Sequence, residues 1–206
     1  MAVVGCAGTR AQPAVAQCEQ DLNMARIEMA RLRAQQVVSS DLIQKENERI
    51  TKELRDEIQQ GQVTIVELQG RLTLSVVEDL LFDSGKAELH DTGRKLLARI
   101  ASTLGPLDGQ IVMVEGHTDN IPIGQALAEK YPTNWELSTA RATTVVRYLQ
   151  DHGVRPTELA AVGYGEYKPV APNSNAAGRH KNRRIDVVLG AARAEPQAEG
   201  TKVSAR

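Results

Sequence analysis

Apolar residues in this chain recur at helical spacing up to about residue 68 and at alternate positions just beyond it, so one polypeptide must supply both a long helix and a sheet. The helical stripe runs through Leu22, Ala25, Met29, Leu32, Gln36, Ser39, Ile43, Asn47, Ile50, Leu54, Ile58, Gly61, Ile65 and Leu68, in alternating threes and fours with two extra fours. That is a heptad pattern with stutters, and it predicts a single helix over 22–69. Gln36, Ser39, Asn47 and Gly61 interrupt the seam. Polar seam positions weaken a coiled coil while fixing its register, so a homo-oligomer through this helix is allowed and not compelled. The stripe is narrow, which favours a protruding spacer of roughly 70 Å over a helix folded back on the domain.

Gly70 reads as a helix stop, after which Leu72, Leu74 and Val76 alternate with Arg71, Thr73 and Ser75 as in a half-buried strand. A helix is expected from about His90 to Leu104, ended by Gly105-Pro106, and then a β-branched strand from Gln110 to Glu115. A second helix follows from Asn134 to about His152, a short strand from Leu159 to Val162, a loop rich in Gly, Pro and Asn, and a last strand from Arg184 to Leu189. The order βαβαββ predicts an α+β domain over 70–190, with helices on one face of a mixed sheet. Residues 191–206 read as a disordered tail.

No run of about 20 apolar residues occurs, so no segment is expected to span a bilayer as a helix. Aromatics make up 3% of the chain and the formal net charge is -1, which gives nucleic acid neither a stacking surface nor a global electrostatic attraction. The local basic cluster Arg179, His180, Lys181, Arg183 and Arg184 reads as a solvated face or a contact for an anionic wall polymer.

Both cysteines lie near the amino end and form neither a disulfide framework nor a metal site. Val3-Val4-Gly5-Cys6 has the form of a bacterial lipobox, in which the cysteine is lipidated. A lipoprotein signal also needs a charged stretch and an apolar stretch before the cysteine, and only five residues precede Cys6 here. Lipidation of Cys6 is therefore expected if the natural precursor extends upstream; an exposed cysteine is expected otherwise. Residues 1–21 read as the tether, small and polar from Ala7 to about Gln17.

Five motifs then fall in order: Leu81-Phe82-Asp83-Ser84-Gly85-Lys86-Ala87-Glu88-Leu89, Gly116-His117-Thr118-Asp119, Asn134-Trp135-Glu136-Leu137-Ser138-Thr139-Ala140-Arg141-Ala142, Gly163-Tyr164-Gly165-Glu166 and Gly178-Arg179-His180-Lys181-Asn182-Arg183-Arg184-Ile185. In order and spacing they resemble the OmpA-like domain family, over about Leu72 to Leu189. That family includes the periplasmic domain of the outer-membrane porin, the peptidoglycan-associated lipoprotein and the stator protein MotB. The resemblance implies a non-catalytic module that binds peptidoglycan through the diaminopimelate of its stem peptide. If the true precursor carries a signal sequence, it also implies a location at the periplasmic face of the outer membrane, held by a lipid anchor on Cys6; without one the location is open.

Diaminopimelate ends in one ammonium and one carboxylate, so its recognition needs an anion and a cation held close together. By resemblance Asp119 accepts the ammonium and Arg141 forks onto the carboxylate, a planar two-point fit that Lys does not reproduce. Asp119 follows an apolar strand, where loops form sites. If Asn134 caps the second helix, free N–H groups there also favour an anion. The resemblance adds the backbone near Leu137, and Thr118, Phe82 and Arg184, as pocket lining. Without that context Asp119 merely caps a turn and Arg141 merely pairs with Glu136 or Asp119.

Catalysis, a cofactor and a bound metal are not expected: His117 and His152 have no nucleophilic partner in a recognisable arrangement, and no phosphate loop or metalloprotease motif occurs. Asp119 with Glu115 is in principle a carboxylate pair a hydrolase could use, but with Ile111 to Glu115 as a strand leading into a turn their mutual placement is open. The stretch Ile121 to Thr133 is longer than in compact lipoprotein members and looks more like the MotB branch. A stator-like or adaptor protein, whose helix binds a partner while the head docks on the wall, is therefore the alternative.

Overall fold

In the computed structural model, the described residues are 11–68, 71–104 and 110–191. Cys6, Gly70 and residues 192–206 lie outside them. The chain divides into two compact units, Met1–Leu42 and Ile43–Arg206. In the first, helix α1 (Ala11–Glu53) already begins where a flexible tether is expected. Pro13 stands in its first turn, where a missing N–H costs no helical hydrogen bond. Gln17 donates to Asp21 one turn on, at 3.0 Å. Leu22, Met24, Ile27, Met29 and Leu32 are each more than half exposed.

The second unit departs from the expected spacer. Ile50 and Leu54 are buried in the same core as the sheet. Around them Arg49 reaches the Thr103 carbonyl, and Arg99 holds both the Glu57 carboxylate and the Glu53 carbonyl. A short helix α2 (Arg55–Gln59) follows, and Gly61 takes the left-handed conformation, φ 69°, that ends a helix cheaply. The predicted helix therefore stops well short of Leu68, and Val63–Leu68 is strand β1. Val63, Thr64, Ile65 and Val66 are β-branched, and tertiary pairing with the next strand overrides the helical spacing of Ile65 and Leu68.

Strand β2 (Arg71–Val77) pairs antiparallel with β1, placing Val63 opposite Val76 and Leu68 opposite Arg71. Helix α3 (Asp91–Leu104), strand β3 (Gln110–His117), the four-residue helix α4 (Gln125–Ala128), helix α5 (Asn134–Asp151) and strand β4 (Leu159–Gly165) come next. Helix α6 (Ala176–Asn182) and strand β5 (Arg184–Ala191) complete the domain. The sheet order is β1-β2-β5-β3-β4, with β3 and β4 parallel and the other pairs antiparallel. The fold is α+β with a mixed sheet, as expected, but it has five strands where four are predicted. It also has a helix, α6, inside the predicted loop, and Ala191 belongs to the last strand and not to a tail.

Register explains which side chains meet. Leu72, Leu74 and Val76 of β2 face Leu189, Val187 and Ile185 of β5, which in turn align with Val112, Val114 and Gly116 of β3. This row is the helix-covered face: its apolar members join Leu97, Ile100 and Leu104 of α3 and Ala142, Val145 and Leu149 of α5 in one buried cluster. Alternate residues, among them Ser75, Glu115, His117, Arg184 and Asp186, fall on the other face. Two glycines let α5 sit close on the strands. A Cβ at Gly116 would lie 2.2 Å from the Ser138 carbonyl oxygen, and one at Gly163 would lie 2.6 Å from the Thr139 amide nitrogen.

Candidate functional site

The carboxyl end of β3, the first turns of α5 and the segment after β2 converge on one buried ionic group. Asp119 lies just past β3, 7% exposed, with Oδ1 accepting from the Ile121 amide at 3.0 Å. Its Oδ2 accepts from Arg183 Nη1 at 2.9 Å. Thr118 anchors the chain there: its amide donates to the Gly165 carbonyl at 2.9 Å and its hydroxyl to the Asp119 carbonyl at 2.9 Å.

Arg141, two turns into α5, is 2% exposed. Its Nη1 lies 2.7 Å from the Glu78 carboxylate, its Nε donates to the Lys86 carbonyl at 2.9 Å, and its guanidinium stands 5.4 Å from the Phe82 ring centroid. Its Nη2 is buried with no hydrogen-bond partner. Glu78 feels Arg141, Arg183, Asp79 and Asp119 together, so these groups form one cluster. Burial pushes the Glu78 carboxyl above the usual glutamate range, against the pull of Arg141 and Arg183. Burial likewise lowers the pKa of Arg141, opposed by Glu78.

The remaining expected residues divide. Asn134 is buried, and its amide nitrogen donates to the Asp119 carbonyl at 3.3 Å, the Ile121 carbonyl at 3.1 Å and Glu166 Oε2 at 2.7 Å. It does not cap α5, however. Thr133 does, in a capping box with Glu136: its hydroxyl accepts from the Trp135 amide at 3.1 Å, and its own amide donates to Glu136 Oε2 at 2.8 Å. Leu137 is buried against Ala87 and Tyr131, next to the site.

Arg184 is not brought into the group. Its Nε donates to Asp186 at 2.9 Å, on the opposite sheet face, and Arg183 takes the place beside Asp119. Glu115 stands among other partners than Asp119, 3.8 Å from both Arg71 and His117 on the other face. Glu78 and Arg183 are the participants that sequence reasoning misses; a buried arginine's need for a counter-charge is the signal for the first.

Glu115, His117 and Asp186 bring possible metal-ligand atoms within 4.8 Å of one another. Arg184 and Ser75 already bond Asp186, and Arg71 stands by Glu115, so these carboxylates are neutralised by the protein's own cations and donors. Among the described residues no helix is long and apolar enough to cross a membrane.

Comparison with known proteins agrees with this architecture. The model of the OmpA family matches residues 81–183, from the Phe82 motif to Arg183. Motility protein B of Bacillus subtilis is 36% identical over 119 residues, which are 57% of this chain and 44% of that protein. Outer membrane protein A of Bordetella avium is 34% identical over 111 residues, 54% of each chain. The chain thus spans about half the length of the curated relatives it matches. Among solved structures, the cell wall anchor of the T6SS from Pseudomonas aeruginosa is 35% identical with a TM-score of 0.62, covering 68% of this chain and 96% of that one. A MotB like protein from Desulfovibrio vulgaris is 26% identical with a TM-score of 0.70, covering 78% and 98%. By the family match across half its length, the chain belongs to the OmpA family.

Proposed function

We propose that the domain binds peptidoglycan non-covalently by holding the diaminopimelate of a stem peptide between Asp119 and Arg141. The observation that carries this reading is the buried Arg141 Nη2, a charged donor with no acceptor, in the same ionic cluster as Asp119. A buried donor left unmade is costly, and a ligand carboxylate supplies the missing acceptor. Asp119 spends one lone pair of each oxygen on Ile121 and Arg183, which leaves others for an ammonium. A zwitterion adds no net charge to a cluster in which Glu78 is already paired with Arg141 and Asp119 with Arg183. That one structural relative is the cell wall anchor of the T6SS supports the same reading.

In this account the protein tethers the cell envelope to the wall from the periplasmic side of the outer membrane. Acyl chains on Cys6 anchor it, and the exposed Leu22, Met29 and Leu32 of α1 offer a self-association seam. Such a module needs neither catalysis nor a cofactor. Mass spectrometry of Cys6 in native cells tests the anchor, and an unmodified thiol removes it. Similarity to motility protein B favours a second reading, a stator-like component or adaptor whose helix engages a protein partner. The wall reading itself is tested by co-sedimentation with purified sacculi in the presence of free diaminopimelate. Competition is expected, and binding that free diaminopimelate leaves unchanged refutes it.

A further inference from the structure

Beside the ionic group stands a feature the clamp does not use. Trp135, 45% exposed, and Tyr167, 64% exposed, stack on each other with ring centroids 5.2 Å apart and planes 24° from parallel. Large aromatic surface left in water is unfavourable, and a pair held in one orientation is a pre-ordered contact surface. The two rings are positioned by the same node that positions Asp119. Asn134, immediately before Trp135, bonds the Asp119 carbonyl, and it also bonds Glu166, immediately before Tyr167. The Ile121 carbonyl accepts from the same Asn134 amide, and the residue is 53% exposed.

We infer that Trp135 and Tyr167 form a subsite for an N-acetylhexosamine ring of the wall glycan, adjoining the stem-peptide clamp. This rests on the reading that Asp119 and Arg141 hold diaminopimelate. A pyranose presents a face of weakly positive C–H groups, which complements the negative face of an indole or phenol ring. Its hydroxyl and acetamido groups stay in water at a half-exposed site, whereas a wholly apolar partner would gain little from the polar groups around it. Reach fits as well. Diaminopimelate stands a few residues from the sugar that carries the stem, so at about 3.5 Å per residue the sugar lies on the order of 10 Å from the clamp. Trp135 follows directly on a residue that touches Asp119, which lies within that span.

Trp135 is the chain's one tryptophan, so its fluorescence reports this surface alone. The full chain is titrated with peptide-free N-acetylglucosaminyl-N-acetylmuramic acid and, separately, with free diaminopimelate. A saturable change in Trp135 emission with the disaccharide is expected, weakened about tenfold or more in Tyr167→Ala and retained in Asp119→Asn. Tyr167 is exposed enough that its truncation leaves the fold intact, which the circular dichroism of the variant checks. No saturable change with the disaccharide, or one that Tyr167→Ala leaves as strong, overturns the subsite. Loss of the diaminopimelate arm alone refutes the clamp and not the platform; because the free lactyl carboxylate of the disaccharide is a group Arg141 also accepts, the titration is repeated with N,N′-diacetylchitobiose, which has no carboxylate and should give the same saturable change.

Discussion

Arg141 and Glu78 form an ion pair at 2.7 Å with side chains only 3% and 5% exposed, so the cation assigned to the ligand carboxylate is itself held by a buried acid. Removing one partner of such a pair strands the other charge out of water. Glu78→Gln is expected to cost about 3–5 kcal/mol of stability in a urea titration. Replacing both, as Glu78→Leu with Arg141→Met, should recover most of that loss and still abolish binding to sacculi. A double variant as unstable as Glu78→Gln would show that the pair stabilises the fold in its own right.

For the ligand, Asp119→Asn removes one end of the two-point clamp and leaves Arg183 without its 2.9 Å partner. Affinity for sacculi should fall by more than tenfold, about 2–4 kcal/mol, with the fold retained. Arg183→Lys tests the same oxygen from the protein side. Because it keeps the charge and loses the planar fork, it should weaken binding by less than Asp119→Asn does. Sacculus binding unchanged in a folded Asp119→Asn chain would take Asp119 out of the site.

Clamp geometry depends on how closely α5 lies on the strands. Gly116→Ala sets a Cβ 2.2 Å from the Ser138 carbonyl, a backbone atom that cannot rotate away. The helix must shift, carrying Arg141 with it and away from Asp119. A stability loss of about 1–3 kcal/mol is expected from the overpacking, with a drop in wall affinity beyond it. Gly124→Ala is the control, since nothing lies within 4 Å of its added Cβ. Equal effects at the two glycines would mean that the close approach does not position the site.

Asp119 and Arg141, the two residues proposed for the clamp, are legible in the sequence as candidates because each sits in a motif, whereas the partners they have in the structure are not. Nothing in Val77-Glu78-Asp79-Leu80 tells which acid is buried; the turn that follows β2 decides it, leaving Glu78 4% exposed and Asp79 on the surface. Arg183 and Arg184 are neighbours at a strand's start, where successive side chains point to opposite faces, so a one-residue shift exchanges site and non-site. Strand β2 follows from alternation, and β3 and β5 from their β-branched and apolar runs. Strand β1 is hidden, because Ile65 and Leu68 also continue the helical spacing of the stripe before them. The burial of Ile50 and Leu54 is hidden for a related reason: a narrow stripe describes a helix seam and a helix packed on a sheet equally well.

Asp186 organises the sheet face away from the site, and its ionisation leads to a pH prediction. Burial pushes its carboxyl up, but the approach of His117, the charge of Arg184 and the Ser75 hydroxyl outweigh it and hold the group below the usual aspartate range. A carboxylate whose pKa is lower folded than unfolded contributes stability above the unfolded value, and that contribution is lost as the pH falls through the folded one. Parent stability should therefore decline on the acid side below about pH 4. Asp186→Asn should be less stable at neutral pH and show a shallower decline there, as measured by thermal unfolding from pH 7 to 3. A decline as steep in the variant would assign it to other carboxylates.

The clearest test of whether the residues before β1 belong to the core compares two leucines, one within α1 and one just past its end. Leu54 is fully buried in the sheet's core cluster, while Leu32 is 53% exposed in the first unit. Leu54→Ala should cost about 2–5 kcal/mol through lost contacts and an unfilled cavity. Leu32→Ala should lie within about 0.5 kcal/mol of the parent unless the chain self-associates. If it does, the loss at Leu32 should grow with protein concentration, since association stabilises by mass action, and the loss at Leu54 should not. A chain beginning at Gly70 lacks Ile50, Leu54 and Val63, three members of that core, and should be markedly less stable than the full chain in the same titration. Equal stability of the shortened and full chains, or a Leu54→Ala loss no greater than that at Leu32, would restore the helix to the role of a free spacer.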